Sequence, residues 1–389
     1  MPLNGMSTVT DRVCGVPLFT PSVMDGAVLD ALTVGSEEVL NTLVVRIRAA
    51  VREGSRPHTL LVAPTGAGKT HILRVALHRT FGDSATDGAV LPVVLPESGL
   101  GIGRYSDLLV EIARVIDPML LEQAKLLRGR GDPVGIEELI IHAGAGRMVL
   151  LVVENLDRVF RGLGAAGQGS LRAWVETSGA VLVVASTPAL FEGVSSRMFP
   201  WYGSFIVEKL PGLSIDDAVT VIERGARRRG IRDLEEFVIS PRGRSAVAEV
   251  WRRVGVAPRV WHLLAGLVDA QDLAAVEPAI EVLLDRLVEY YRPRLWGLPG
   301  GEQRLVTELA RGEGARTVAE LAAAVGVSSQ SASVALRRLA AGRWVVSSKR
   351  GDDQRQSWYD LTDPLVREFV QYRQRGFIWS DARSAAPED

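Results

Sequence analysis

The sequence has few cysteines and histidines, the residues that form disulfide bonds and zinc sites. It contains one cysteine, Cys14, and five histidines in 389 residues. A lone cysteine cannot form an internal disulfide, and no cluster of Cys and His has the spacing of a zinc site, so disulfide scaffolds and zinc-built domains are excluded. No apolar run reaches the roughly 18 residues of a membrane span, and the first twenty residues lack the pattern of a secretory signal. We therefore expect a cytoplasmic chain with no membrane partner.

Lysine is scarce as well, and the net charge is close to zero. Lys69, Lys125, Lys209 and Lys349 are the four lysines among 45 basic residues, and the formal net charge is -1. A chain that coats nucleic acid by bulk charge should be strongly basic, so any such contact must come from a local patch. The 47% hydrophobic and 23% charged residues exclude a mostly disordered or collagen-like chain. The length indicates two or three domains.

The hydrophobic pattern changes once along the chain. Short apolar runs without helical spacing predict strands at residues 59–63, 90–95, 148–153 and 180–185. Helical spacing predicts helices at residues 36–51, 71–79, 105–115, 118–127, 136–142 and 171–177. Such alternation indicates a mostly parallel sheet covered on both faces. After Pro211 only helical patterns remain, at residues 215–228, 244–253, 259–270 and 273–290, before a Pro- and Gly-rich boundary near residues 292–301.

Residues 63–70 have the sequence Ala-Pro-Thr-Gly-Ala-Gly-Lys-Thr, between a predicted strand and a predicted helix. In a phosphate-binding loop, Gly66 and Gly68 let backbone N–H groups turn toward the phosphates, Lys69 reaches the terminal phosphates and Thr70 offers a hydroxyl to magnesium. Ala63 departs from the pattern, which has Gly at the first position. The alternative is a relic loop that no longer binds nucleotide. The predicted nucleotide-binding residues are Ala63, Pro64, Thr65, Gly66, Ala67, Gly68, Lys69, Thr70 and His71.

A second motif is an apolar strand that ends in acids, over residues 149–157. In P-loop ATPases such a strand delivers an acid to the magnesium shell, and a neighbouring Glu orients the attacking water. Here Glu154 occupies the magnesium side together with Thr70, and Asn155 stands where the catalytic Glu is expected. An amide cannot accept a proton from water, so we expect slow hydrolysis unless Asp157 or another acid substitutes. The alternative is that residues 154–157 merely cap a buried strand.

The two motifs together resemble those of AAA+ ATPases, and among them the initiator and loader group typified by the origin recognition complex. The resemblance covers roughly residues 36–375 and implies ATP and Mg2+ as cofactors. It implies a polar first sensor at Thr187, where the alternative is a strand-end turn. It also implies a second sensor at Arg259 that reaches the γ-phosphate, although Pro258 followed by Arg259 suits an ordinary helix start as well. Arg197 is the candidate for a trans-acting finger at a subunit interface, with a solvated surface arginine as the alternative.

The C-terminal part of the chain has the pattern helix, helix, turn, helix and two strands. Thr317 and Glu320 form a capping-box signature, and Gly326 supplies the turn. In the next helix, Leu336 and Leu339 lie on an apolar face, opposite small polar residues and an arginine that suit a close approach to base edges and phosphates. The predicted DNA contacts lie on that polar face and in the following hairpin loop, at Ser329, Gln330, Ser333, Arg337, Lys349, Arg350 and Arg355.

This segment resembles the winged helix of MarR-type regulators. Residues 291–376 carry 14 Lys plus Arg against 9 Asp plus Glu, a net charge of +5, which leaves -6 for the rest of the chain. A basic end on an acidic protein favours double-stranded DNA as the partner, through salt-sensitive phosphate contacts. Some winged helices bind protein instead, and Asp352 and Asp353 in the wing weaken the DNA interpretation.

The predicted fold class is α/β, with a parallel-sheet P-loop NTPase core of the AAA+ type, an all-helical lid and a C-terminal winged helix-turn-helix. The predicted division is a flexible arm at 1–25, the core at 26–211, the lid at 212–292, the winged helix at 293–376 and a disordered tail at 377–389. The predicted function is that of an ATP-dependent DNA-binding switch or loader that hydrolyses ATP. The alternatives are a non-hydrolysing, ATP-bound transcriptional regulator, and a signalling, phage-defence or mobile-element ATPase whose winged helix docks a protein. Assembly of like or unlike subunits through the core stays open.

Overall fold

The computed structural model describes residues 21–82, 88–95, 101–350 and 353–373. The chain divides between Gly212 and Leu213 into two compact units. The first contains a parallel sheet, and the second is mainly helical with a small antiparallel sheet. Within the described ranges, no helix combines the length and the apolar character that crossing a membrane requires.

Helices and one sheet make up the first unit. Its strands are β1 (Thr59–Val62), β2 (Val90–Val94), β3 (Met148–Val153), β4 (Val181–Thr187) and β5 (Ile206–Lys209). Its helices are α1 (Gly26–Ala31), α2 (Glu37–Glu53), α3 (Lys69–Phe81), α4 (Tyr105–Ile116), α5 (Pro118–Gly129), α6 (Pro133–Gly144), α7 (Leu156–Ser178) and α8 (Glu192–Ser195).

The five strands form one parallel sheet in the order β2-β3-β4-β1-β5. Every residue of β3 and β4 is buried, as their continuous apolar sequences predict for strands covered on both faces. Because β4 pairs with both β1 and β3, the carboxyl ends of these three strands lie at the same edge of the sheet. This edge carries the loop that follows β1 and the acids that follow β3.

The first unit differs from the sequence prediction at β5 and α7, and the short helices α1 and α8 were not predicted. The short edge strand β5 is missed because its apolar run is only three residues long, from Phe205 to Val207, and Glu208 and Lys209 follow it. Ile206 and Val207 are 44% and 41% exposed. The helix predicted at residues 171–177 is only the end of α7, which begins at Leu156. Gly164 interrupts α7 with non-helical backbone angles (φ 61°, ψ -178°), and the surrounding glycines and alanines hide the helical period.

The second unit contains ten helices in its described residues, together with three short strands. Its helical region consists of α9 (Ile215–Arg229), α10 (Arg232–Ile239), α11 (Pro241–Val254), α12 (Pro258–Leu267), α13 (Ala270–Ala275) and α14 (Glu277–Trp296). The elements that follow are α15 (Gly300–Arg311), β6 (Arg316–Thr317), α16 (Val318–Val325), α17 (Ser329–Ala341), β7 (Val345–Arg350), β8 (Asp353–Leu361) and α18 (364–373).

Prolines shape α14 differently from the sequence expectation. The single helix predicted at residues 273–290 is broken at Val276 (φ 63°, ψ -56°), because Pro278 in the first turn of α14 cannot continue a preceding helix. Pro293, in contrast, lies inside α14, which continues to Trp296. The helix therefore runs past residue 292, and the chain turns at Gly297.

The last part of the second unit is a winged helix-turn-helix. The three strands form an antiparallel sheet in the order β6-β8-β7. Thr317 and Glu320 form the predicted capping box at the start of α16, and Gly326 ends that helix with φ of 70°. Leu336 and Leu339 of α17 are fully buried, as predicted. The predicted fold class of a parallel-sheet P-loop core, a helical region and a winged helix is confirmed.

Polar contacts join the helical region to the winged helix inside the second unit. The Arg253 guanidinium forms ion pairs with Glu277 of α14 (2.7 Å) and Glu368 of α18 (2.6 Å). The Tyr291 hydroxyl donates to Asp363 Oδ2 at 2.6 Å, and burial raises the pKa of both groups. Removing one partner of such a pair would leave a desolvated polar group, so these contacts resist separation.

Two buried histidines of the first unit lead us to expect weaker folding in mild acid. Burial lowers the pKa of both His58 and His71 from 6.5 to about 4. Between these values the unfolded chain binds more protons than the folded chain, so the free energy of unfolding falls as the pH falls. Each histidine should cost roughly 1–2 kcal/mol between pH 7 and pH 5.

Urea unfolding at several pH values measures this slope. The His71→Gln variant should show about half of the wild-type slope, because one of the two groups is removed. A wild-type profile that is flat between pH 7 and pH 5 would contradict the expectation.

Candidate functional site

The loop between β1 and α3 has the backbone of a phosphate-binding loop. Gly66 and Gly68 have φ of 87° and 90°, in the left-handed region that favours glycine. Gly68 is the N-cap of α3, so the first helical turn supplies N–H groups suited to an anion. Ala63 lies outside the left-handed region, and its N–H donates to the Thr187 carbonyl at 3.2 Å. Alanine therefore fits where the motif usually has glycine.

Lys69 is held at this loop by backbone oxygens. Its ammonium donates to the carbonyls of Ala63 (2.7 Å) and Pro64 (2.9 Å), and only 9% of the residue is exposed. A phosphate oxygen is a stronger acceptor for an ammonium than a neutral carbonyl, because both partners then carry charge. The Lys69 ammonium can therefore exchange its two carbonyl acceptors for phosphate oxygens.

The two predicted metal ligands are in direct contact. The Thr70 hydroxyl donates to Glu154 Oε2, although the two residues are 84 positions apart in the sequence. Thr70 lies in the first turn of α3, and Glu154 follows β3 directly. A hydroxyl and a carboxylate are the hard oxygen ligands that Mg2+ prefers beside phosphate oxygens. This donor set fits Mg2+.

Thr187 and Asp157 also come together. Thr187 is fully buried at the end of β4, and two acceptors share its single hydroxyl proton: Asp157 Oδ1 at 3.2 Å and the Ala189 carbonyl at 3.0 Å. Because Thr187 pairs in register with Val62 of β1, it lies beside the strand that leads into the phosphate-binding loop. Asp157, the acid considered as a substitute base, is 8% exposed and accepts this bond.

The backbone conformation at residue 155 favours asparagine over glutamate. Its φ of 53° and ψ of 49° place it in the left-handed region, as the N-cap of α7. Asparagine is among the few residues other than glycine that adopt this conformation readily. The turn from β3 into α7 therefore favours an amide at the position where a catalytic carboxylate was expected.

His71 and Arg79 hold α3 against its neighbours. His71 Nε2 lies 2.9 Å from the Thr33 hydroxyl, so the imidazole is buried beside the end of α1. Its predicted nucleotide contact stays a prediction. At the other end of α3, Arg79 pairs with Asp30 (2.5 Å) and Glu37 (2.9 Å), and the hydrogen bond from Arg79 lowers the pKa of Asp30. These contacts fix the helix that carries Lys69 and Thr70.

The two remaining arginines predicted for the nucleotide site each contact an aromatic ring. Arg197, which follows α8, is exposed, with its Cζ 5.8 Å from the centroid of the Tyr202 ring. In the second unit, Arg259 lies in the first turn of α12, with its Cζ 4.7 Å from the centroid of the Tyr290 ring. The trans-acting role of Arg197 and the sensor role of Arg259 stay predictions.

The polar face predicted for α17 is solvent-facing. Ser329, Gln330 and Arg337 are exposed, and Ser333 is half-buried. Ser328 begins the helix, because its hydroxyl accepts the Ser331 N–H at 3.1 Å. A short turn separates α16 from α17, which is the geometry of a helix-turn-helix.

The wing is the hairpin formed by β7 and β8. The ammonium of Lys349 is on the exposed surface and donates to the Ser357 hydroxyl at 3.0 Å. The side chains of Arg350 and Arg355 lie outside the described residues, so their predicted DNA contacts stay predictions.

One side chain of this surface was missed by the sequence interpretation. Val334 is 37% exposed on α17, four residues after Gln330 and three before Arg337. That spacing puts the three side chains on one helical face and could have identified it. An exposed apolar side chain there suits contact with a thymine methyl group.

Comparisons with known proteins cover the two units unequally. Residues 296–356 match the MarR family, so this C-terminal segment is similar to that family. No curated protein matches the chain in sequence.

Several solved structures are similar in arrangement. The Orc1 protein of Aeropyrum pernix in complex with DNA has 16% identity and a TM-score of 0.49, over 86% of this chain and 92% of that one. The Drosophila ORC bound to DNA has 14% identity and a TM-score of 0.42, over 95% and 94%. A variant of RuvB from Thermotoga maritima has 18% identity and a TM-score of 0.39, over 85% and 92%. Identities and TM-scores this low carry no functional argument.

Replacing Lys69 tests the loop directly. Lys69→Ala should weaken ATP binding about 10- to 100-fold, because a charge-assisted hydrogen bond to phosphate is lost. Titration with a fluorescent ATP analogue in the presence of Mg2+ measures the affinity.

The matched control is Lys125→Ala, since Lys125 is exposed on α5 and pairs with Glu122 at 2.7 Å. Wild-type affinity in Lys69→Ala would refute a nucleotide site at this loop. Melting temperatures of both variants show whether the fold is retained.

Proposed function

We propose that the protein is an ATP-dependent DNA-binding switch. The observation that carries the proposal is the contact between the Thr70 hydroxyl and the Glu154 carboxylate, beside a glycine loop that holds Lys69. The candidate phosphate-binding and metal-binding groups lie at one edge of the sheet, which supports the proposal. ATP with Mg2+ matches this chemistry, with the loop N–H groups and Lys69 on the phosphates and Thr70 and Glu154 on the metal. When bound, the metal would neutralise phosphate charge.

Double-stranded DNA is the proposed partner of the winged helix. The exposed face of α17 carries Gln330, Val334 and Arg337, which together can contact base edges, methyl groups and phosphates. The net charge of +5 over residues 291–376 supports attraction to a phosphate backbone. The similarity of residues 296–356 to the MarR family supports the same interpretation.

The build of the second unit supports the proposed coupling between nucleotide and DNA. The ion pairs of Arg253 with Glu277 and Glu368 tie the helical region to the winged helix. In the proposal, nucleotide binding moves the helical region, and that movement carries the winged helix with it. A switch of this kind works only if DNA binds the two nucleotide states with different affinity.

We propose that the protein hydrolyses ATP, and that this hydrolysis is slow. Asn155 supplies no carboxylate at the position that usually orients water. Asp157 accepts the Thr187 hydroxyl, and Glu154 accepts the Thr70 hydroxyl. The acids nearest the loop are therefore engaged in other contacts.

The same observation favours a second candidate function, a regulator that holds ATP as a structural ligand. The left-handed backbone at Asn155 disfavours a glutamate there. Phosphate release separates the two functions. Release that Lys69→Ala abolishes supports the enzyme, whereas tight ATP binding without release, with or without duplex DNA, supports the regulator.

The affinity for DNA should depend on the bound nucleotide. Fluorescence anisotropy with a labelled duplex, measured with ATP, with ADP and without nucleotide at one salt concentration, should show a difference of about 5- to 100-fold between states. Equal affinity in all three conditions would rule out the switch. Failure to bind any duplex would favour a winged helix that docks a protein.

Arg337→Ala should weaken duplex binding and leave ATP affinity unchanged. Loss of one phosphate contact should make the plot of log association constant for DNA against log salt concentration shallower by about 1 in slope. Lys349→Ala should act in the same direction.

The matched control is Arg311→Ala, because Arg311 is an exposed arginine of α15, 3.8 Å from Glu308. It should leave the salt slope nearly unchanged. Equal loss of DNA and ATP binding in Arg337→Ala would indicate misfolding instead of a lost DNA contact.

A further inference from the structure

The last turn of α14 presents an aromatic ring to solvent. Trp296 is 71% exposed, while every other tryptophan of the described residues is buried or half-buried. Exposure of an indole forfeits the large apolar burial that makes tryptophan stabilising in cores and interfaces. A flat ring of this size on the surface is therefore one that a ligand can cover.

Hydrogen bonds of the backbone hold the turn that carries this ring. The Gln303 amide donates to the carbonyls of Trp296 (3.2 Å) and Leu298 (2.7 Å). The Gly297 N–H donates to the Pro293 carbonyl at 3.0 Å. The indole takes part in none of these bonds. The ring is thus presented from an ordered turn, and its replacement should leave that turn intact.

Arginines alternate with aromatic residues along this end of α14. The Cζ of Arg292 lies 5.6 Å from the centroid of the Trp296 ring, and the Cζ of Arg294 lies 4.7 Å from that of Tyr290. Residues 286–304 carry four arginines against two glutamates, a net charge of +2. Guanidinium groups beside flat rings suit single-stranded nucleic acid, with phosphates on the cations and bases on the rings.

The same surface borders the winged helix. The Cζ of Arg294 also lies 5.3 Å from the centroid of the Trp344 ring. Trp344 follows α17, and its N–H donates to the Leu339 carbonyl of that helix at 2.8 Å. The end of α14 therefore lies next to the end of the helix that is proposed to contact duplex DNA.

We propose that Trp296 stacks on an unpaired DNA base and that Arg292 and Arg294 contact the phosphates beside it. This inference rests on the proposed binding of DNA by the winged helix. Bases inside a duplex are paired and stacked on their neighbours, so they offer an indole no free face, whereas an unpaired base does. The preferred partner is therefore a duplex that continues into a single strand, with the paired part on α17 and the unpaired part on α14.

Three labelled DNAs that share one duplex measure this contact by fluorescence anisotropy, with ATP present and at one salt concentration. The first is blunt, the second carries a single-stranded thymidine extension, and the third carries an abasic extension of equal length, each extension being tested in both polarities. The abasic extension keeps the phosphates and lacks the bases. For the wild type, the thymidine extension should bind about 5- to 100-fold more tightly than the abasic one in at least one polarity, because base stacking adds affinity.

Replacement of the ring should remove this gain. Trp296→Ala should lose most of it and leave the affinity for the blunt duplex unchanged. Trp296→Phe keeps a ring for stacking, so it should retain a larger part of the gain than alanine does. The matched control is Ile239→Ala, because Ile239 is another exposed apolar residue of the second unit, at 52%. This control should keep the wild-type gain.

The blunt duplex separates failure of this inference from failure of the proposed function. A wild type that does not bind the blunt duplex defeats the proposed function and the inference that rests on it. Binding of the blunt duplex with no gain from thymidine in either polarity defeats the inference alone and would assign the exposed ring to a protein contact.

The remaining outcomes test the ring itself. Equal binding of the thymidine and abasic extensions overturns the stacking argument. A gain that Trp296→Ala retains, or that Ile239→Ala loses to the same extent, overturns the assignment to Trp296. Weaker binding of the blunt duplex by Trp296→Ala would show that the ring acts on paired DNA, and it would overturn the preference for an unpaired base.

Discussion

The candidate nucleotide site depends on the pairing of β4 with both β1 and β3. Parallel strands end at one edge of a sheet, so the loop after β1, Thr187 at the end of β4 and Glu154 after β3 must meet there. A slip of one residue in β4 would turn the Thr187 side chain to the other face of the sheet and separate it from Asp157. The buried, β-branched sequences of β3 and β4 set this register, and with it the chemistry of the edge.

In the second unit, the helical region and the winged helix are joined by direct side-chain contacts. α14 contacts the winged helix through Tyr291, and Arg253 of α11 pairs with both Glu277 of α14 and Glu368 of α18. The winged helix is therefore oriented by the helical region that carries Arg259. The C-terminal segment is positive and the rest of the chain is acidic. Electrostatic attraction to DNA therefore acts on the C-terminal segment.

Much of this architecture follows from local signals. The apolar runs of β1 to β4, the capping box at Thr317 and the glycines of the loop all act within a few residues, so the sequence predicts them. The failures have equally local causes. The apolar run at β5 is only three residues long, and Gly164 interrupts α7. Pro278 does carry the signal for the break at Val276, but the helical spacing on both sides of it conceals the break.

By itself, the sequence determined the order of the domains, the phosphate-binding loop and the polar face of α17, because each is encoded by residues that lie close together in the chain. Only the tertiary structure decided which distant groups meet. It placed Thr70 against Glu154, buried the His71 imidazole beside Thr33 and put Tyr290 in contact with Arg259. No periodicity encodes such contacts, since they arise from how strands align and how helices pack once the chain has folded.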